Sequence, residues 1–134
     1  MAAGLVLGCD FLADLEREVL RGVFGAAHQF LDRNAEQELC ITRITAGELA
    51  SGPQLDERNA WSTFVSRFRI LDLDLDAAWA YGQTYRYLKH NDLLIGTNDL
   101  WTAAVAVVRG LPLVTRNPAH FRRVPGLKVL THIG

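Results

Sequence analysis

The chain has 134 residues, 49% hydrophobic and 22% charged, with a formal net charge of −1 and two cysteines. That length suits one domain spanning residues 1–134, and it buries roughly two-thirds of the unfolded surface, so neither a disulfide nor a zinc staple is needed. The charge excludes a global positive field for nucleic acid, no apolar run approaches the ~20 residues of a membrane span, and the first eleven residues lack the basic region of a signal peptide. Cys9 and Cys40 are therefore expected as reduced thiols of a cytoplasmic protein.

Taken in chain order, the elements alternate. Ala3–Leu7 reads as a buried strand that gives way to a helical pattern over Phe11–Leu20, with a second helix over Gly22–Arg33. Glu38–Thr42 is strand-like, with β-branched Ile41 and Thr42. Thr45 suits a helix N-cap with Glu48 at the capping-box position, and Gly52-Pro53 stops that helix. Helix follows over Leu55–Phe68, with Trp61, Phe64, Val65 and Phe68 on one stripe. "RILDL" is a short strand, and Asp74 or Asp76 opens a helix to Lys89. Asn98 can cap a helix over Asp99–Arg109, ended by Gly110. Leu111–Thr115 is a buried strand, "NPAHF" a turn or short helix, and "LKVLT" a last strand. The alternation predicts an α/β fold with a mainly parallel sheet, whose sites gather at the carboxyl ends of the strands.

Oxygen-bearing side chains fall at those boundaries: Asp10 after the first strand, Glu48 after the second, Asp99 at the head of a late helix and Asn117 after the "LVT" strand. Each has an ordinary structural explanation. Asp10 can be a helix cap, Glu48 the capping-box partner, and Asp99 a complement to the helix dipole. Three carboxylates ~5 Å apart, however, repel by roughly 3 kcal/mol per pair at an effective dielectric near 20. If they converge, a divalent cation is the simpler account, and oxygen donors are what Mg²⁺ and Mn²⁺ prefer. Neither a zinc-spaced His/Cys set nor a phosphate-binding glycine loop is present. Arg116, Arg122, Arg123 and Lys128 form the densest basic group, suited to phosphate contact or to a solvated surface. The four histidines are dispersed, and His120 is expected to be structural or ligand-contacting before catalytic. Trp61, Trp79 and Trp101 suit a core or a dimer interface.

Three separated motifs then carry a resemblance. "ITAGELASG", "IGTNDLWTAAVAVVRG" and "LPLVTRNPAHFRRVPGLKVL" occur in the order and spacing of the PIN-domain family, and the chain looks most like the VapC toxins of that family. The resemblance implies a PIN-like three-layer α/β/α sandwich. It also implies metal-site carboxylates at Glu48 and Asp99, with Asn98, Thr115, Arg116 and Asn117 in supporting or substrate-facing positions. The implied activity is Mg²⁺- or Mn²⁺-dependent cleavage of RNA, with a VapB-like antitoxin as partner, a homodimer as assembly, and an antitoxin groove on the first two helices, where Phe24, Phe30 and Leu31 exceed one apolar stripe. The first motif departs from the family pattern: Gly8-Cys9-Asp10 stands where Asp-Thr-Asn/Ser/Asp is usual, so Gly8 occupies the position of the first acid and Asp10 the third, supporting one. Residues i and i+2 of a strand share a side, so Asp10 could lean toward the missing acid's place. The expectation is a VapC-like endoribonuclease inactivated or attenuated by Gly8, with Glu48, Asp99 and Asp10 as its catalytic and metal-holding acids. The alternative is a non-catalytic module that binds antitoxin or RNA. A phospho-receiver domain is disfavoured because Arg116, not lysine, follows the "LVT" strand.

Overall fold

A computed structural model describes residues 4–133; Ala3, the first residue of the expected opening strand, lies outside them. Five strands, β1 (Gly4–Leu7), β2 (Glu38–Thr42), β3 (Arg69–Leu71), β4 (Leu113–Val114) and β5 (Val129–Leu130), form one sheet in the order β3-β2-β1-β4-β5. Every pairing is parallel, and the register sets Val6 beside Cys40 on one side and beside Leu113 on the other. The strand order reverses between β1 and β4, and that gap is the switch point where open α/β sheets bind ligands.

The helices are α1 (Cys9–Arg21), α2 (Ala26–Arg33), α3 (Arg43–Ala50), α4 (Arg58–Val65), α5 (Leu75–His90), α6 (Thr97–Arg109) and α7 (Pro118–Phe121). Alternate strand residues feed two cores, as a sheet covered on both faces requires. Leu5, Leu7, Ile41 and Val114 pack with α1 to α4 residues such as Phe11, Leu12 and Phe30. Val6, Cys40, Leu71 and Leu113 pack with α5 to α7 residues such as Leu88, Leu100 and Phe121. The four residues of β1 are all buried, and each large apolar side chain so placed contributes about 1.5–3 kcal/mol. The result is the expected α/β/α sandwich.

The helix starts differ from the sequence reading in ways that matter for the site. Asp10 is not a cap: Gly8 is the N-cap residue of α1, and Asp10 lies inside the first turn. Thr45 is not a cap either. Thr42 ends β2 and caps α3, its hydroxyl accepting the Thr45 amide at 3.1 Å. A strand that runs straight into a helix leaves no room for a later start, and Glu48 therefore sits in the second turn with no capping role. Gly96, not Asn98, precedes α6, placing Asn98 and Asp99 within its first turn. Residues 22–25 are a turn rather than helix, because Gly22 closes α1 in the left-handed region at φ 64°. The long fourth helix shrinks to α4 behind a short 3-10 turn, Pro53–Leu55. Gly110 ends α6 as expected, at φ 65°.

Of the tryptophans, Trp61 donates its indole N–H to the Ala46 carbonyl at 2.9 Å, and Trp101 stacks on Tyr81. Trp79 is exposed and belongs to neither core. Phe30 belongs to the core and Leu31 packs against it, whereas Phe24 is exposed. Both cysteines are free thiols. Among the described residues no helix is long and apolar enough to cross a membrane.

Candidate acidic site at the switch point

An open hollow of about 930 Å³ lies at the carboxyl ends of β1 and β4, and Gly8, Asp10, Glu48, Asp99, Arg116 and Asn117 line it. Six of the eight sequence-predicted positions thus meet in one place, although they come from four segments of the chain. Each arrives for a local reason. Asp10 stands in the first turn of α1, which begins one residue beyond β1. Glu48 is carried on α3, whose Thr45, Ala46 and Leu49 are buried, leaving Glu48 at the margin. Asp99 is in the first turn of α6, where a carboxylate complements the helix dipole. A buried hydroxyl relay fixes α3 against α6: Thr42 and Thr102 approach to 3.1 Å, although they are 60 residues apart in sequence.

Thr115 and Asn98 are the two positions that do not line the hollow, and both act on an acid that does. Thr115 is fully buried and donates to Asp10 Oδ2 at 2.7 Å. The Arg116 amide donates to the same oxygen at 3.1 Å. Asp10 therefore clamps the loop after β4 onto α1, while its other oxygen, Oδ1, is buried with no hydrogen-bond partner. That orphan oxygen faces Gly8: a Cβ at Gly8 would stand 3.2 Å from it and 3.0 Å from the Val114 carbonyl. Gly8 itself has φ −73° and ψ 159°, extended backbone open to any residue. No turn geometry demands glycine there.

The acids feel one another. Burial raises the Glu48 carboxyl above its ordinary value, and Asp99 and then Asp10 push it further up, with Asn98 opposing them. Cys9, half-buried in the same wall, is pushed up to about 11, first by burial and then by Glu48, Asp10 and Asp99. His120, on α7, lies 3.1 Å through Nε2 from Asp99 Oδ2. It lines the hollow together with Arg122 and Arg123. Sequence reasoning gave His120 no acid partner, because 21 residues separate it from Asp99.

In kind, this donor set fits a hard divalent cation: carboxylate oxygens, an amide at Asn117, and a buried carboxylate oxygen with nothing to satisfy it. In number it is loose, since among the described residues no three His, Cys, Asp or Glu side chains are drawn together closely enough to hold an ion.

A parallel three-layer sandwich with carboxylates and arginines around its switch point defines an α/β protein with an acidic pocket rimmed by basic side chains. A family model described as "PIN domain" matches residues 20–127. The chain is 36% identical over 96 residues to the tRNA(fMet)-specific endonuclease VapC of Salmonella typhimurium, covering 68% of this chain and 73% of that one. It is 33% identical over 92 residues to Ribonuclease VapC1 of Methanocaldococcus jannaschii, covering 66% and 68%. Among solved structures, DNA-bound VapBC from Salmonella typhimurium superposes with a TM-score of 0.79 at 26% identity, over 98% of this chain and 99% of that chain. The chain belongs to the PIN-domain family, among its VapC-like members.

Proposed function

We propose that this chain is the toxin of a type II toxin–antitoxin pair: an endoribonuclease, one PIN domain over residues 1–134, that depends on Mg²⁺ or Mn²⁺ and is attenuated by Gly8. The observation that carries the reading is the meeting of Asp10, Glu48 and Asp99 in one hollow of a VapC-like chain. Glu48 and Asp99 would hold the ion, with Oδ1 of Asp10 as a third donor. Bound there, a divalent ion lowers the pKa of an attacking water and offsets charge on the scissile phosphate. The remaining work falls to the chain itself. Arg116, Arg122 and Arg123 draw the phosphates of the strand to the rim, where the net charge of the whole molecule gives no help. His120 fixes the orientation of Asp99, and Asn98 steadies Glu48.

A VapB-like antitoxin, a homodimer and a cytoplasmic setting belong to the same reading. Val19, Leu20, Val23 and Phe24 are exposed around the end of α1 and offer an antitoxin an apolar surface. A second reading, a PIN-fold module that binds antitoxin or RNA without cutting, is favoured by one observation: Gly8 has no donor to give, and the three acids alone do not close into a ligand set. One experiment separates the two. RNA cleavage is measured with and without Mg²⁺ on this chain and on Gly8→Asp. Weak metal-dependent cleavage by the parent and strong cleavage by the variant are expected. No cleavage by either, with RNA still bound, leaves the binding module.

A further inference from the structure

Asp10 and Asp14 are four residues apart and share one face of α1. Asp10 takes the Arg116 backbone amide, as described. Asp14 takes the Arg116 side chain: Arg116 Nη1 donates to Asp14 Oδ1 at 2.6 Å. The same oxygen accepts from Arg17 Nη2 at 2.8 Å, and the other, Oδ2, pairs with His132 Nε2 at 2.8 Å. The His132 side chain is wholly buried, and its ring stands edge-on to Phe11 at 4.7 Å. Asp14 is thus held from behind by a buried, packed ring, and in front it grips an arginine whose side chain is partly exposed and lines the hollow. Among the described residues nothing else accepts from that guanidinium, so its other donors are free.

We propose that Asp14, anchored by buried His132, is a positioning residue that holds the Arg116 guanidinium at the rim of the hollow to receive a phosphate of single-stranded RNA. The inference rests on the reading of the hollow as an RNA site. A carboxylate beside an RNA surface would ordinarily be a liability, because it repels the phosphate backbone. Here it fixes one end of a five-donor fork and leaves the rest aimed outward.

The two roles predict opposite signs. Binding of a fluorescent single-stranded RNA oligonucleotide is measured by anisotropy in EDTA, so that cleavage does not intervene, across a salt series. The full-length parent is compared with Asp14→Asn, Arg116→Ala and the double variant. Arg116→Ala is expected to lower the slope of log K against log salt by about 0.7, one phosphate contact on a single strand. Asp14→Asn is expected to weaken binding roughly 3- to 10-fold, a part of the worth of one charge-assisted bond, since the guanidinium is loosened and not removed. It should add nothing in the Arg116→Ala background. Binding by Asp14→Asn that is unchanged or tighter overturns the inference, as does an equal loss in both backgrounds, which would make Asp14 merely structural. Should Asp14→Asn fail to fold by circular dichroism, Asp14→Glu keeps the charge and shifts the carboxylate by one methylene. It is expected to weaken binding too, and unchanged binding overturns the inference. If the parent binds no RNA, the inference falls together with the functional reading. If the parent binds and Asp14→Asn binds equally, the inference alone falls.

Discussion

Gly8→Asp is the perturbation on which the geometry speaks most directly. The backbone at Gly8 is already extended and admits a side chain. The new Cβ would meet the Val114 carbonyl at 3.0 Å and Asp10 Oδ1 at 3.2 Å, so the strand must yield by a few tenths of an ångström. The larger effect is electrostatic. Two carboxylates about 4–5 Å apart repel by roughly 3–4 kcal/mol at an effective dielectric of 20, and an open, solvated hollow reduces that to about 1–2 kcal/mol. For a chain of this size each kcal/mol moves Tm by about 3–5 °C. Gly8→Asp should therefore melt about 3–10 °C below the parent in EDTA. Divalent cation should more than restore it, since a ligand at 100 times its Kd adds about 2.7 kcal/mol. The parent, lacking the donor, should respond less. Gly8→Ala carries the steric change without the charge and should be close to neutral in either buffer, its unfolded-state gain of about 0.4–1 kcal/mol offset by the tight carbonyl contact. The assay is thermal melting in EDTA, Mg²⁺ and Mn²⁺, read beside RNA cleavage. If Gly8→Asp melts with the parent in all three and cuts no RNA, the hollow is not a metal site awaiting its first acid, and the reasoning is wrong.

Other outcomes follow from the same geometry. Glu48 binds its proton more tightly folded than unfolded, so without divalent ion its contribution to stability is present at low pH and is lost as pH rises from the ordinary carboxylate value through the raised one; Glu48→Gln should abolish that fall in Tm in EDTA, and an unchanged pH profile would refute the shared acidic field. Thr42→Ala removes both the α3 cap and the Thr102 contact, and chemical denaturation should register a loss of about 1–2 kcal/mol. With its thiol pushed up to about 11, Cys9 should react with iodoacetamide at pH 8 at least roughly a hundredfold more slowly than a free thiol, by mass spectrometry of the labelled peptide.

The layout of the sheet was legible because the core strands are short apolar runs set between helical patterns. Glu38–Thr42 matches residue for residue, and the Gly110 stop needs only a left-handed glycine. Helix starts were less legible. Thr42 and Thr45 are both good caps by chemistry, and only the direct passage of β2 into α3 decides between them. Residues 22–33 read as one helix, yet Gly22 closes α1, residues 23–25 are not helical, and Phe24 is exposed while Phe30 is core. Asp10 and Glu48 were found by their position after strands, and Asp99 by its place at the head of a helix. Their helpers were not, because a helper is defined by contact: Thr102 meets Thr42 across 60 residues, and His132 meets Asp14 across 118. One local clue was available for Asp14, its four-residue spacing from Asp10 on a single helix face.

Whether Asp10 replaces the absent acid now has a physical answer in its hydrogen bonds. A carboxylate can ligate a metal through one oxygen while hydrogen bonds hold the other, so what decides the matter is where the uncommitted oxygen points. Asp10 Oδ2 is committed twice, to the Thr115 hydroxyl and the Arg116 amide. Those bonds pin the loop that carries Arg116 and Asn117, and rotating the carboxylate away would break both, at about 1–3 kcal/mol for the buried Thr115 hydroxyl and less for the exposed Arg116 amide. Only Oδ1 remains, and it is buried against the empty side of Gly8. Asp10 can lend the site one oxygen from a fixed direction. It cannot turn further toward the side of Gly8 without giving up the two bonds that hold the loop after β4, and this supports the proposal of attenuation over that of an exchange of one acid for another.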